Sequence, residues 1–121
     1  MRLFALRGAI SVERNDSADI LGATTELMQA LMERNGLQPT DVVSCIFTAT
    51  NDLNAEFPAV AARAIGFENV PLLCAREIAV PGALPRVIRV LIHHYAEDGH
   101  QAKHVYLGEA ASLREDLAAA Q

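Results

Sequence analysis

One arginine interrupts the most apolar stretch of the sequence. Arg89 lies inside the run 87–92, where the other five residues are valine, isoleucine or leucine. A buried guanidinium without a partner is costly, so this side chain needs an anion. The sequence leaves two candidates equally open. The partner is either a carboxylate of the same chain, with Glu77 the natural candidate, or an anionic ligand.

Four more residues could contribute to the same chemistry. Arg7 ends the first apolar stretch beside Gly8, where another group could approach the backbone closely. Glu77 follows another apolar stretch and could act as a base or accept a hydroxyl hydrogen bond. Tyr106 and Arg63 complete the set. Each also has an ordinary explanation: a solvated arginine, an ion-pair partner, or a half-buried tyrosine with its hydroxyl at the rim.

Other kinds of catalytic chemistry lack the residues they need. No histidine precedes or closely follows Cys74, so we expect a packed thiol rather than a nucleophile. His100 and His104 are four residues apart, but Asp98 to Gln101 is predicted to be a loop, so the two histidines do not share a helical face and a metal site is not expected. The sequence contains no glycine-rich phosphate loop, no GxSxG and no HExxH. The remaining arginines, carboxylate and tyrosine suit binding a small carboxylic acid and stabilising charge in it.

Length and composition limit the possible classes of protein. The 121 residues, of which 51% are hydrophobic and 21% charged, predict a single globular domain over 1–121. The net charge of −5 argues against a nucleic-acid or acidic-membrane partner. No stretch resembles a signal peptide or membrane span. Two cysteines without a CxxC motif favour free thiols in the cytoplasm.

Hydrophobic periodicity predicts five strands and two helices that would position these residues. A capping group at 15–17 and Asn35-Gly36 bracket a long amphipathic helix. Pro58 and Gly66 bracket a short helix. In chain order, the predicted elements are strand Leu3 to Val12, helix 17–35, strand Val42 to Ala49, helix Pro58 to Ile65, strand Val70 to Ala75, strand Val87 to Ile92, a loop from Ala96 to Lys103 and strand His104 to Leu107.

This order predicts an α/β (α+β) fold with an unusual imbalance. One long helix cannot cover both faces of a five-stranded sheet, so one apolar face should be left open. An open apolar face of this kind indicates burial against other subunits. We therefore expect an oligomer.

Several spaced segments together resemble the AroH-type, monofunctional chorismate mutases over nearly the whole chain. Each segment is short, but their order and spacing agree. The segments are Arg7-Gly8-Ala9 with Val12-Glu13, Phe47 to Leu53, Phe57-Pro58-Ala59 with Arg63, Val70-Pro71, Cys74, Glu77, Arg86 to Val90, His104 to Leu107, and Leu113-Arg114 with Asp116-Leu117.

The resemblance implies a fold, an assembly and a reaction. The fold is a mixed five-stranded sheet with one long and one short helix, which assembles as a homotrimer with a pseudo-α/β barrel core. Active sites lie between subunits. The reaction is the rearrangement of chorismate to prephenate in phenylalanine and tyrosine biosynthesis, with no cofactor or metal. As the C–O bond lengthens, negative charge grows on the ether oxygen, where a fixed guanidinium stabilises the transition state.

The resemblance also implies residue roles. Arg89 donates to the ether oxygen and to a substrate carboxylate, Arg7 and Tyr106 hold the side-chain carboxylate, and Glu77 accepts the ring hydroxyl. The remaining substrate-binding residues are Cys74 beside that hydroxyl, Phe57 and Ala59 from the neighbouring subunit, Arg63 and Arg114 at the mouth of the site, and Leu73 and Leu113. The alanine-rich residues 115–121 are expected to fray.

Two departures and two alternatives accompany this interpretation. Val60 and Leu73 stand where some relatives carry lysine and threonine, and the first change leaves the mouth with one positive charge fewer. An imine deaminase on a similar trimeric fold could also use an interface arginine to bind a carboxylate. A non-catalytic protein that binds small carboxylic acids would bind ligand without turnover.

Overall fold

The computed structural model describes residues 1–113, which form one sheet flanked by two helices on one side. Arg114 and the predicted frayed tail lie outside these residues. The elements are β1 (Arg2–Ser11), α1 (Ser17–Asn35), β2 (Val42–Ala49), α2 (Pro58–Ala62), β3 (Leu72–Arg76), β4 (Val87–Ala96) and β5 (Val105–Leu107). Short 3-10 turns cover Pro39–Asp41 and Gly108–Ser112. The predicted number, order and type of strands and helices are confirmed.

The five strands form a single mixed sheet in the order β3-β2-β4-β1-β5. The central strand β4 runs antiparallel to both β1 and β2, whereas the outer pairs β1/β5 and β2/β3 are parallel. The β1/β4 ladder runs from Arg2 opposite Ala96 to Ser11 opposite Val87. This pairing explains why β4 continues four residues beyond the predicted end at Ile92, since its polar residues are held by the ladder rather than by their own propensity.

The long helix α1 begins and ends where local signals place it. The Asp16 side chain accepts a hydrogen bond from the backbone N–H of Asp19, and Gly36 ends the helix in the left-handed conformation with φ 62°. The apolar side of α1 packs on β1, where a Cβ on residue 8 would lie 2.8 Å from Leu31 and 3.0 Å from Leu27. The close approach expected at Gly8 is therefore made by α1 itself.

The short helix α2 ends earlier than predicted. Regular α-helix stops at Ala62 and a wider turn, Arg63–Phe67, follows. Ile65 leaves the helical region and Gly66 has φ 108°, so the turn closes at the predicted glycine. Phe67 is buried in the main core and anchors this turn.

The two faces of the sheet differ in their cover. Phe47, Ile88 and Ile92 belong to the main core beneath α1 and α2. The opposite face carries no α-helix: the 3-10 turn Gly108–Ser112 covers only a small cluster of Ala9, Val87 and Ala110, and Leu3, Leu73 and Tyr95 are exposed. This helix-free face is the open face that the sequence predicted. Within residues 1–113, no helix is long and apolar enough to cross a membrane.

Candidate active site

Arg89 lies on the helix-free face and is bound to Glu77. Because side chains alternate along β4, Arg89 points away from the core that receives Ile88 and Val90. Its Nε donates to both carboxylate oxygens of Glu77, at 3.1 Å to Oε1 and 3.0 Å to Oε2. The side chain of Arg89 is 39% exposed and that of Glu77 14%. The internal ion pair therefore forms, while part of the guanidinium still faces solvent.

Thr48 fixes the orientation of the Glu77 carboxylate. Thr48 lies directly opposite Arg89 in the β2/β4 ladder, and its Oγ1 donates to Oε2 of Glu77 at 2.6 Å. Two donors from two different strands thus hold one carboxylate. A carboxylate offers about four acceptor positions, so Glu77 retains capacity to accept a ligand hydroxyl.

Arg7 and Tyr106 meet on the neighbouring strands. The Nη2 of Arg7 lies 3.4 Å from the Oη of Tyr106. Tyr106 is the partner of Ala9 in the β1/β5 pair, and Ala9 is the partner of Arg89 in β1/β4. The sheet therefore brings Arg7, Arg89 and Tyr106 to one surface from three strands.

His104 ties the start of β5 to β1 at the same place. Its Nδ1 accepts a hydrogen bond from the backbone N–H of Arg7 at 3.0 Å. Desolvation where β5 meets β1, and secondly the positive charge of Arg7, lower the pKa of His104 below its ordinary range, although the residue is exposed. The imidazole is therefore neutral at pH 7, as an acceptor at Nδ1 must be.

A cavity of about 260 Å³ opens between these side chains. Arg7, Thr48, Arg89 and Tyr106 supply its polar lining, and the rest of the wall is mainly apolar: Gly8, Ala9, Ile46, Val90 and Leu91. Arg7 and Arg89 bring two guanidinium groups to the cavity, and the carboxylate of Glu77 is bound to only one of them. The cavity is thus suited to an anion that carries both apolar and hydroxyl groups.

A second group of predicted site residues lies apart from this cavity in the single chain. Phe57, which is 67% exposed, and Cys74 line a separate cleft of about 370 Å³ beside α2. Cys74 packs against the main core on the helix side of β3, whereas Arg89 lies on the other face. One protomer therefore does not bring Phe57 and Cys74 to Arg89.

The other predicted residues are spread around these two places. Ala59 is buried in the main core, and Arg63 is exposed where α2 ends. Leu73 is exposed on the helix-free face near the edge of the sheet, opposite Ile46. Leu113 and Tyr106 pack against the same small cluster of Ala9, Val87 and Ala110. Their predicted contacts with substrate stay predictions.

Sequence reasoning gave no individual role to two residues that hold this site together. Thr48 carries a usable signal, a hydroxyl among the apolar residues of β2, but the sequence does not show that it binds Glu77. The bond between His104 and Arg7 depends on strand pairing that the sequence does not display. Within residues 1–113, no three His, Cys, Asp or Glu side chains cluster closely enough to hold a metal ion.

Neither cysteine has the surroundings of a reactive thiol. Both are free, and burial raises the pKa of Cys45 to about 12. Cys74 is partly buried against the core, and β3, which carries it, contains no histidine. The geometry thus favours binding and charge stabilisation over covalent chemistry.

Comparison with known proteins agrees with this arrangement. The family model for chorismate mutase type I matches residues 3–117. Chorismate mutase AroH of Thermus thermophilus is 50% identical over 118 residues, which cover 96% of this chain and 97% of the relative. The Bacillus subtilis (strain 168) AroH is 40% identical over 119 residues, covering 97% and 94%. The solved chorismate mutase from Clostridium thermocellum superimposes with a TM-score of 0.87 at 44% identity, over 90% of this chain and 98% of that one. The family match over almost the whole chain and the shared fold lead to one conclusion: this chain belongs to the chorismate mutase type I family.

Proposed function

We propose that the protein is a chorismate mutase, an isomerase that rearranges chorismate to prephenate within one molecule. The observation that carries this proposal is the half-exposed guanidinium of Arg89, held at Nε by Glu77 beside a cavity that also contains Arg7. The reaction breaks a C–O bond and forms a C–C bond without net proton transfer. A site without a nucleophile or a proton relay therefore suffices.

The proposed mechanism follows from where charge develops. As the C–O bond lengthens, the ether oxygen becomes more negative, and the outer nitrogens of Arg89 donate to it. Because Nε is bound to Glu77, the guanidinium is oriented before the substrate arrives. A preorganised donor of this kind stabilises the transition state more than the ground state.

Arg7 and Tyr106 bind the side-chain carboxylate of the substrate, and Glu77 accepts its ring hydroxyl. Because these residues bind different groups of the substrate, they hold the flexible molecule in the folded shape from which it reacts. This removes part of the entropic barrier. Arg63 and Arg114 attract the ring carboxylate at the mouth, and Leu113 adds apolar contact.

The working unit is a homotrimer with sites between subunits. The helix-free face exposes Leu3, Leu73 and Tyr95, and this apolar surface is the proposed contact with neighbouring subunits. A neighbouring subunit that covers this face would bring Phe57, Ala59 and Cys74 towards the cavity of Arg89. The separation of these two groups within one protomer is what an interface site requires. The free cysteines suit a cytoplasmic enzyme.

Turnover of chorismate tests the reaction directly. The purified protein is expected to remove the enol-ether absorbance of chorismate while prephenate accumulates, without added metal or cofactor. Binding of chorismate without turnover would identify a carboxylate-binding protein instead. Turnover of an imine substrate with no effect on chorismate would identify a deaminase.

Subunit mixing tests the interface site. Arg89→Ala and Phe57→Glu each inactivate a different side of the interface, so each homotrimer should be nearly inactive. In co-refolded 1:1 mixtures, about one quarter of the interfaces would combine two intact sides. Activity should therefore return to about that fraction of wild type. Mixed trimers as inactive as their parents would place the whole site in one subunit.

A further inference from the structure

Arg86 has a backbone conformation that an arginine rarely adopts. Its φ is 50°, and it is the one non-glycine residue with positive φ within residues 1–113. The left-handed region is unfavourable for a residue with a Cβ, so the surrounding structure must hold it there. Arg86 immediately precedes β4 and lies three residues before Arg89. Its conformation therefore sets how the strand that carries Arg89 begins.

The carboxylate of Asp52 holds this conformation. Both of its oxygens accept the backbone N–H of Arg86, at 3.2 and 3.0 Å. The same carboxylate accepts the hydroxyl of Thr50, which in turn accepts the N–H of Val87 at 3.0 Å. Thr50 also donates its N–H to the carbonyl of Val87 at 3.1 Å. The end of β2 and the start of β4 are thereby linked in a closed set of bonds.

The same residue also fixes the end of β1. The N–H of Val12 donates to the carbonyl of Arg86 at 2.8 Å, and the Nε of Arg86 donates to the carbonyl of Val12 at 3.0 Å. Three strand ends thus meet at Arg86. These strands carry Arg7 on β1, Thr48 on β2 and Arg89 on β4.

We propose that Asp52 is a positioning residue for the reaction. By holding Arg86 at positive φ, it fixes the register that places Arg89 opposite Thr48 and within reach of Glu77. Asp52 borders a separate cleft beside Glu77, and its hydrogen bonds within residues 1–113 go to Arg86 and Thr50, so the role that we assign to it acts through the backbone. This inference rests on the proposed role of Arg89 in chorismate turnover. Displacement of a catalytic group by about 1 Å is enough to cost on the order of 100-fold in rate.

A four-variant comparison separates this role from a general loss of structure. Asp52→Ala should lower kcat by on the order of 10- to 100-fold while the trimer and its secondary structure persist. In the Asp52→Ala background, Arg86→Gly should recover much of the lost kcat, because glycine adopts positive φ without help. Arg86→Ala removes the same guanidinium but keeps a Cβ, so it should recover nothing. In chains that keep Asp52, the kcat values of Arg86→Gly and Arg86→Ala should differ much less.

Amide hydrogen exchange provides a readout that does not depend on activity. Exchange of the amides of residues 86–90 should be faster in Asp52→Ala than in wild type. Adding Arg86→Gly to Asp52→Ala should slow it again, whereas adding Arg86→Ala should leave it fast. Wild-type kcat in Asp52→Ala, or equal kcat and exchange in the two double variants, would overturn the proposal. If wild type fails to turn over chorismate, the proposed function fails, and the exchange pattern alone decides whether Asp52 holds Arg86.

Discussion

The two faces of the sheet have different roles, and adjacent residues of the same strand contribute to different faces. On β4, Ile88 is buried beneath the helices, whereas Arg89 faces the open cavity. On β2, Phe47 and Thr48 are divided in the same way. The helix-covered face buries its apolar side chains within one chain. The helix-free face keeps charge, a hydroxyl and exposed apolar groups. A strand can thus be anchored on one side while the other side holds a charged site rigidly.

The largest expected effect tests the helix-covered face. Phe47 is fully buried, so Phe47→Ala should lower the free energy of unfolding by about 3–5 kcal/mol through lost burial and a cavity. Urea unfolding followed by circular dichroism measures this. Phe57→Ala is the matched control, since the same truncation at a phenylalanine outside the main core, exposed in the single chain and placed at the proposed interface, should cost the protomer far less stability. Equal losses at the two positions would contradict the claim that the core beneath the helices carries the stability of the protomer.

A smaller effect is expected at the neighbouring residue on the helix-free face. Thr48→Val keeps the shape of the side chain but removes the hydroxyl that orients Glu77. We expect kcat/KM for chorismate to fall by on the order of tenfold, because a hydrogen bond to a charged group is lost. Thr48→Ser retains a hydroxyl and should keep most of the activity. If valine and serine behave alike, the hydroxyl does not position Glu77.

The smallest expected effect concerns a buried histidine on the helix-covered side. His94 is fully buried against Phe4 and His100, and burial lowers its pKa below 6.5. The unfolded chain then binds more protons than the folded one between that lowered value and pH 6.5. Stability should fall as pH drops through this window, by at most about 1.4 kcal/mol per pH unit for this group.

His94→Phe serves as the comparison for that pH dependence. The replacement keeps an aromatic ring beside Phe4 but removes the titrating group. Urea unfolding at several pH values below 7 should give a shallower loss of stability than wild type. An unchanged slope would mean that other groups carry the acid sensitivity.

Local signals predicted more of the fold than of the site. The ends of α1 follow from Asp16 and Gly36, which act within one turn of the helix, and both were predictable. The extension of β4 to Ala96 was not, because pairing with β1 decides it. Arg89 and Glu77 could be paired from the sequence as one of two alternatives. The position of Cys74 on the other face could not, since it depends on the register of β3 against β2.

The positive φ of Arg86 illustrates the same limit. A sequence pattern reports periodicity and caps, whereas this conformation depends on a carboxylate 34 residues earlier in the chain. Contacts between distant strand ends are formed only when the sheet assembles. The residues that position a site are therefore harder to predict than those that touch the substrate.

The most direct test of the account is the kcat of Arg89→Ala with chorismate, measured beside Ile88→Ala. Losing a preorganised donor should lower kcat by on the order of 10²–10³-fold with the trimer intact, whereas Ile88→Ala should lose stability and keep its turnover per folded subunit. Arg89→Lys should rescue little, because a single ammonium cannot bind Glu77 and the substrate with the planar geometry of a guanidinium. Near-normal kcat in a folded Arg89→Ala trimer would contradict the central claim that this guanidinium stabilises the transition state.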